Sequence, residues 1–519
     1  MMTFSTSRYL LLMAALATLP AWTGSLPLGT DIPQHAAQIS LALDHFSTRT
    51  WSDEVYLNYL TPYLLTYLAG ALLAKAFGIV VSVKILISLY LGGTVLATAR
   101  LLDAYGHDKR LAIFSIFGLY GFTYQWGFLP FNLSAVLMIL LLAELRSGTQ
   151  AALSKLPRCL GLALAIVMTH GLSAVVMAGM LLALTVMESG LAARVRNYVL
   201  VLTLLLPVIC WQLFTPTGVK GFGSGIYFGI NPLLSPYFFY QEMSALNHHA
   251  INGWGRLSGL FPRVLGWRNG TAATLAGSAL LVAPLLFGYR LNTDKKALAL
   301  AATLLLILLF MPSVINGSLY SAERFSLLFL CFMPLLLAPT HDVADRLMPW
   351  LMLAATLFIA GNLVQARAYD QSMSALSDVV AKLPENQRGL FLSYTYKADG
   401  FIAPVFLHSG QWYGVLKNGL VDPSFAATDL QPLRYFANRL PFATIGNGFD
   451  WSPAAYAWSD IDDQKYHVYL IHGSISAFEA HVGCKITHDV NGHGPWSAVY
   501  MNRQDVSRCN GNKTLKEGN

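Results

Sequence analysis

Asp31 and His35 stand four residues apart in the stretch GTDIPQH, just past the first apolar run of the chain. On a helix, positions i and i+4 share a face. A carboxylate and an imidazole would then sit side by side at the edge of a greasy segment. That pairing suits proton transfer, because a positioned carboxylate can take the proton of a reacting hydroxyl. Partial burial near lipid would lift its basicity above the aqueous reference of about 3.9. The same aspartate, two residues ahead of Pro33, also suits the start of a short helix, where it would cap the backbone. A second chemical group lies far downstream in SAERF, where Arg324 follows Glu323. A guanidinium at the head of an apolar helix can meet a phosphate at headgroup depth, or snorkel there beside its acidic neighbour. Asp53 and Glu54 form an acidic pair further along from Asp31. Arg256 belongs to a basic segment with Lys220, Arg263 and Arg268, set against Glu242. His170 stands alone inside an apolar stretch, where an ionisable residue is a functional candidate or caps a helix break.

Something must hold these groups, and composition says what. Of 519 residues, 55% are hydrophobic and 12% charged, with mean hydropathy +0.49. Soluble domains carry about 25% charged residues, so the chain reads as a polytopic membrane protein. Its formal charge of +7 comes without a basic face interleaved with aromatics, which excludes nucleic acid as a partner; basic loops are ordinary beside membranes. Apolar runs near 8–26, 56–76, 78–99, 111–126, 129–146, 157–187, 196–215, 272–290, 296–314, 322–338 and 345–362 predict about 11 transmembrane helices, range about 10–13. The first is read as an uncleaved helix, because no small-x-small site ends it. The sixth is too long for one crossing, and His170-Gly171 is the expected break. With the N-terminus inside, 27–55, 216–271 and 363–519 face outside. The basic stretches ESGLAARVR and YRLNTDKK then fall inside, as the positive-inside rule asks. DAYGHDKR and ELRSGTQAALSKLPR fall outside, against the rule; a hairpin or re-entrant piece in the first half would remove the conflict.

From about residue 364 long apolar runs vanish. SALSDVVAKL reads as an amphipathic helix, and GLFLSY, FIAPVFL, YHVYLI and SAVYM read as short strands. The expected organisation is a transmembrane domain over 1–363 and a small α/β extracytoplasmic domain over 364–519. The five cysteines show no metal spacing. Cys159, Cys210 and Cys331 fall in apolar runs, and Cys484 and Cys509 could pair in an oxidising compartment. GVKGFGSG is glycine-rich enough for a lid, without the strand context of a nucleotide loop. The adjacent His248 and His249 are poor co-ligands for a metal, and Asp460, Asp462 and Asp463 lack EF-hand spacing.

The order of these pieces resembles the GT-C superfamily of integral membrane glycosyltransferases, in a bacterial branch related to polyprenyl-phosphate-sugar-dependent enzymes. The matching stretches are GTDIPQH, YLNYLTPYLLTYLAGALLAKAFG, YQWGFLPFNLSAVLMILLLAEL and FMPSVINGSLYSAERFSLLFLCFMPLLL. PVFLHSGQWYGVLKNGLVDPSF is similar to the soluble end of bacterial members. Together they cover nearly the whole chain. Where the protein-mannosylating branch has an adjacent acidic pair on its first loop, this chain has Asp31 alone.

The resemblance implies a mainly α fold of GT-C type. It implies a polyprenyl-phosphate-linked sugar as donor, a glycan, lipid or protein outside the cytoplasm as acceptor, and inverting displacement. Asp31 would be the base, while Arg324, Glu323, His35, Asp53, Glu54, His170 and Arg256 would bind substrate. No cofactor is expected; some branches use a divalent cation and others basic residues, and that choice stays open. The lipid bilayer is the remaining partner, and a bacterial inner membrane, with the site facing the periplasm, the expected place. Two other classes fit the composition. A transporter or flippase of lipid-linked sugars would favour internal repeats and midplane polar groups, and no repeat is visible. A non-catalytic glycan-assembly protein would place its work in the tail.

Overall fold

The computed structural model describes residues 6–146, 154–215, 253–311, 314–315, 318–338, 341–461, 465–483 and 490–500. These divide into two compact units. One takes in residues up to Trp22, Leu60–Thr66 and Ile85–Gln365. The other takes in Thr23–Tyr59, Tyr67–Lys84 and the residues from Ala366 on.

The first unit is helical. Ile79–Ala104, which begins in the other unit, Leu129–Arg146, Leu191–Phe214 and Asp345–Ala381 are long and apolar enough to cross a membrane. Arg256–Leu265 and Gly270–Leu286 qualify together as one span bent by 82°. This supports four crossings, or five with the bent pair, by length and composition among the described residues. The remaining runs are shorter or broken. The run near 111–126 forms pieces, Lys109–Ser115, Ile116–Leu119 and Phe122–Trp126. Gly121 marks one break, because a Cβ there would come 2.4 Å from the Val264 carbonyl oxygen and 2.5 Å from that of Arg263. Only glycine lets two backbones approach so closely. The long sixth run breaks at His170, whose φ of −163° and ψ of 111° end Leu156–Thr169 and start Gly171–Val186.

The second unit is built on a five-stranded sheet. Its strands are β2 (Arg388–Ser393), β3 (Leu420–Asp422), β5 (Val468–His472), β6 (Val490–His493) and β7 (Trp496–Tyr500). Their order is β3-β2-β5-β7-β6. β2 is parallel to both β3 and β5, and β7 is antiparallel to β5 and β6. Every residue of β2 and β5 is buried, which suits parallel strands covered on both faces. Leu390, Leu392, Tyr469, Ile471, Trp458 and Phe478 form the core on one side. Two short strands, β1 (Val55–Leu57) and β4 (Leu433–Tyr435), pair antiparallel with Val55 opposite Tyr435. That pairing ties residues 27–55 to the C-terminal segment. SALSDVVA, the first eight residues of SALSDVVAKL, forms the last turns of the helix His341–Ala381, with Leu376, Val379 and Val380 buried at helical spacing. GLFLSY, YHVYLI and SAVYM carry β2, β5 and β7. FIAPVFL forms turns instead of a strand. Pro404 lacks a backbone N–H for a ladder, and Leu407 closes back on its carbonyl at 2.9 Å.

Candidate functional site

In the second unit, Asp31 sits at the N-terminal boundary of the helix Ile32–Phe46 and makes no side-chain cap bond. Pro33, which lacks an N–H, occupies the first turn, so one donor that a cap would serve is already gone. The carboxylate is committed elsewhere. Its Oδ1 lies 2.9 Å from Nδ1 of His408, and Nε2 of His408 lies 3.2 Å from Oδ2 of Asp450. All three residues are buried, Asp31 at 8% exposure, His408 at 4% and Asp450 at 3%. Oδ2 of Asp31 accepts no hydrogen bond from the described residues, whereas its partner oxygen is fixed.

Burial alone would lower the His408 pKa, but hydrogen bonds and charge from Asp31 and Asp450 outweigh it and pull it up to about 9. The ring is therefore an imidazolium at neutral pH, donating from both nitrogens. Burial pushes Asp450 above the usual carboxylate range, against the pull of His408.

The sequence builds this arrangement from one helix face and two loops. Gln34 and Gln38, one turn apart, use their side-chain amides as clamps on backbone. Gln34 donates to the Pro423 carbonyl at 2.8 Å and accepts from the Phe425 N–H at 2.9 Å. Gln38 bonds the Leu433 carbonyl and N–H at 3.1 and 3.0 Å. The loop they hold presents the Phe425 ring edge-on to both His35, at 5.5 Å, and His408, at 5.9 Å. Nδ1 of His35 bonds the Tyr67 hydroxyl at 2.7 Å, and that hydroxyl donates to Gln431 at 2.8 Å. His408 arrives on the turns that follow β2, and Asp450 follows Gly448, whose φ of +79° reverses the chain.

Glu54 is placed in a different network of the same unit. Its carboxylate lies 2.8 Å from Arg388, which reaches Asp422 at 3.1 Å. Asp422 is fully buried and also accepts from Tyr435 at 2.7 Å and Tyr466 at 3.0 Å. Asp53 is exposed.

Four of the named residues belong to the first unit. The Arg324 guanidinium donates to Nε2 of His170 at 3.2 Å and to the Leu319 carbonyl at 3.0 Å, and lies 3.9 Å from the centre of the Phe128 ring. Nδ1 of the same ring, which caps the helix Gly171–Val186, lies 3.2 Å from the Ser173 backbone N–H and 3.1 Å from the Ser173 hydroxyl. The Tyr63 hydroxyl lies 3.5 Å from the same Nε2. Tyr320, with φ +58°, sets its ring 4.8 Å from Trp126. Arg256 donates to the carbonyls of Leu309, at 3.2 Å, and Met311. Glu323 is buried.

Structure thus joins Asp31 to His408 and Asp450, and Arg324 to His170. His408 lies within PVFLHSGQWYGVLKNGLVDPSF, but nothing local marks it: its partners are 377 and 42 residues away. Among the described residues no group of three or more His, Cys, Asp or Glu side chains is arranged to hold a metal ion. Lys220, Glu242, His248, His249, Asp462, Asp463, Cys484, Cys509 and GVKGFGSG lie outside the described residues.

No family model and no curated protein matches the chain. Among solved structures, it is similar to the crystal structure of the Archaeoglobus fulgidus oligosaccharyltransferase in complex with Zn and sulfate. The identity is 15% and the TM-score 0.45, with 92% of this chain and 69% of that chain covered. A likeness at that level says nothing about chemistry.

Proposed function

We propose that the chain is a membrane glycosyltransferase that moves a sugar from a polyprenyl-phosphate donor to a hydroxyl on an extracytoplasmic glycan, lipid or protein. Residues 1–363 would be embedded in a bacterial inner membrane, and 364–519 would face the periplasm. The observation that carries the reading is Asp31: a nearly buried carboxylate at a helix start that does not cap, with one oxygen pinned and the other unengaged by the described residues. A carboxylate fixed in this way is preorganised to receive a proton.

In the reaction, the acceptor hydroxyl gives its proton to Oδ2 of Asp31. Its oxygen bonds the anomeric carbon from the face opposite the phosphate. The carbon–oxygen bond to phosphate breaks, and the phosphate leaves with the electron pair, inverting the centre. Arg324 is proposed as a ligand of the lipid-linked phosphate, since its planar fork suits that anion and its place over Phe128 fixes the fork. His35, Glu54, Asp53, His170, Glu323 and Arg256 remain proposed substrate-binding residues.

The test uses purified protein in liposomes with a polyprenyl-phosphate sugar and a hydroxyl acceptor. Release of polyprenyl phosphate that depends on acceptor is expected, and Asp31→Asn should abolish it in protein that remains folded and monodisperse at the assay temperature. Undiminished turnover by Asp31→Asn removes the mechanism. Translocation of the donor without release would favour a transporter.

A further inference from the structure

We infer that His408 is the positioning residue of Asp31, and that Asp450 serves to keep His408 donating from both of its nitrogens. This rests on the reading of Asp31 as the base. An imidazole has two nitrogens, and here each faces a carboxylate oxygen, at 2.9 Å and 3.2 Å. Only the imidazolium donates to both. A neutral ring must choose one tautomer and turn a lone pair toward the other carboxylate.

The two carboxylates are not equivalent, so the choice is biased. The Asp450 side chain is 2% exposed and that of Asp31 is 11% exposed. Oδ1 of Asp450 is buried with no hydrogen-bond partner among the described residues. An uncompensated charge costs more in the deeper place. A neutral His408 therefore keeps its proton on Nε2, facing Asp450, and releases Asp31. The base then loses its anchor, and Oδ2 loses its fixed direction. In the protonated state the reverse holds: Asp450 secures one end of the ring, and Nδ1–H locks Oδ1 of Asp31.

The titratable groups facing His408 are Asp31, at the head of the helix Ile32–Phe46, and Asp450, past Gly448. From the loop after β3 the neighbour is the uncharged ring of Phe425, with His35 against that same ring. His408 touches no acceptor or donor in this account, so it acts through Asp31 alone.

The assay is turnover against pH for the full-length protein, with two variants and an independent reading of the imidazole. The parent should lose kcat on a basic limb near pH 9, with KM for the donor little changed. In Asp450→Asn one supporting charge is gone, so the limb should move to lower pH by a unit or more, a tenfold change in the proton equilibrium, while kcat near pH 6 is largely kept. In His408→Gln the amide donates to Asp31 at every pH, so the limb should vanish and kcat should be lower throughout. Nitrogen-15 spectra of labelled histidine, assigned by the signal missing in His408→Gln, should show both ring nitrogens protonated at pH 8 in the parent and one in Asp450→Asn.

A basic limb that stays in place in Asp450→Asn overturns the inference. If that variant does not fold, a limb that persists in His408→Gln does so. A ring singly protonated at pH 7 in the parent also overturns it, whatever the acceptor. Failure of the underlying reading looks different: Asp31→Asn then turns over normally.

Discussion

Replacing His408 by glutamine should make the stability of this protein far less sensitive to alkaline pH. In the folded chain the imidazole pKa is pulled from 6.5 up to about 9. A group whose pKa is raised by folding stabilises the folded state fully below its unfolded pKa, and that contribution drains away as pH rises through the folded value. The window therefore runs from about 6.5 to about 9. The shift corresponds to roughly 3 kcal/mol of stability at pH 6 that is gone by pH 10. His408 is buried at 4% exposure, so solvent does not screen this charge as it would a surface pair. For domains of 150–250 residues, about 1 kcal/mol shifts the melting midpoint by about 2–4 °C. The parent should lose roughly 6–12 °C relative to His408→Gln between pH 6 and pH 10. Intrinsic tryptophan fluorescence in detergent reads the transition, with Trp451 adjacent to Asp450 in the chain. Lysines and tyrosines that titrate above pH 9 do so in both proteins, and their effect cancels in the difference. A gap between the two midpoints that stays constant from pH 6 to pH 10 would refute the assignment of a charged His408.

Arg388→Met should cost about 3–5 kcal/mol, since it leaves the fully buried Asp422 without its cation. Arg388→Met with Asp422→Leu should recover much of that loss; equal melting midpoints for the single and double variants would show that the pair is not coupled. Arg324→Lys removes the fork that spans His170 and the Leu319 carbonyl. The KM for a polyprenyl-phosphate donor should rise about tenfold, roughly 1.4 kcal/mol, and an unchanged KM would remove Arg324 from the donor's binding groups.

Legibility in the sequence followed the range of the interaction. Asp31 was visible because a carboxylate two residues ahead of Pro33 and just past an apolar run is unusual within ten residues of chain. The break at His170-Gly171 was visible for a similar reason: the run is too long for one helix, and the polar residue marks where it ends. The amphipathic turns Leu376, Val379 and Val380 were visible because helical period is a local property. His408 and Asp450 have no such mark. Each is an ordinary polar residue among turn-formers, and the pairing exists only because β2, its following turns and the segment past Gly448 converge on the start of one helix.

The reading of FIAPVFL as a strand failed in an instructive way. Six apolar residues surround Pro404 in that stretch, and composition rewards them as a strand. The missing N–H breaks the ladder instead, and the resulting turns carry the chain from the end of β2 to His408. A strand there would have extended regular structure past the end of β2. The proline makes it a loop, and the loop delivers the imidazole to Asp31. The local violation of strand rules and the candidate site are therefore one feature, as expected where a chain gives up regular structure to place a side chain.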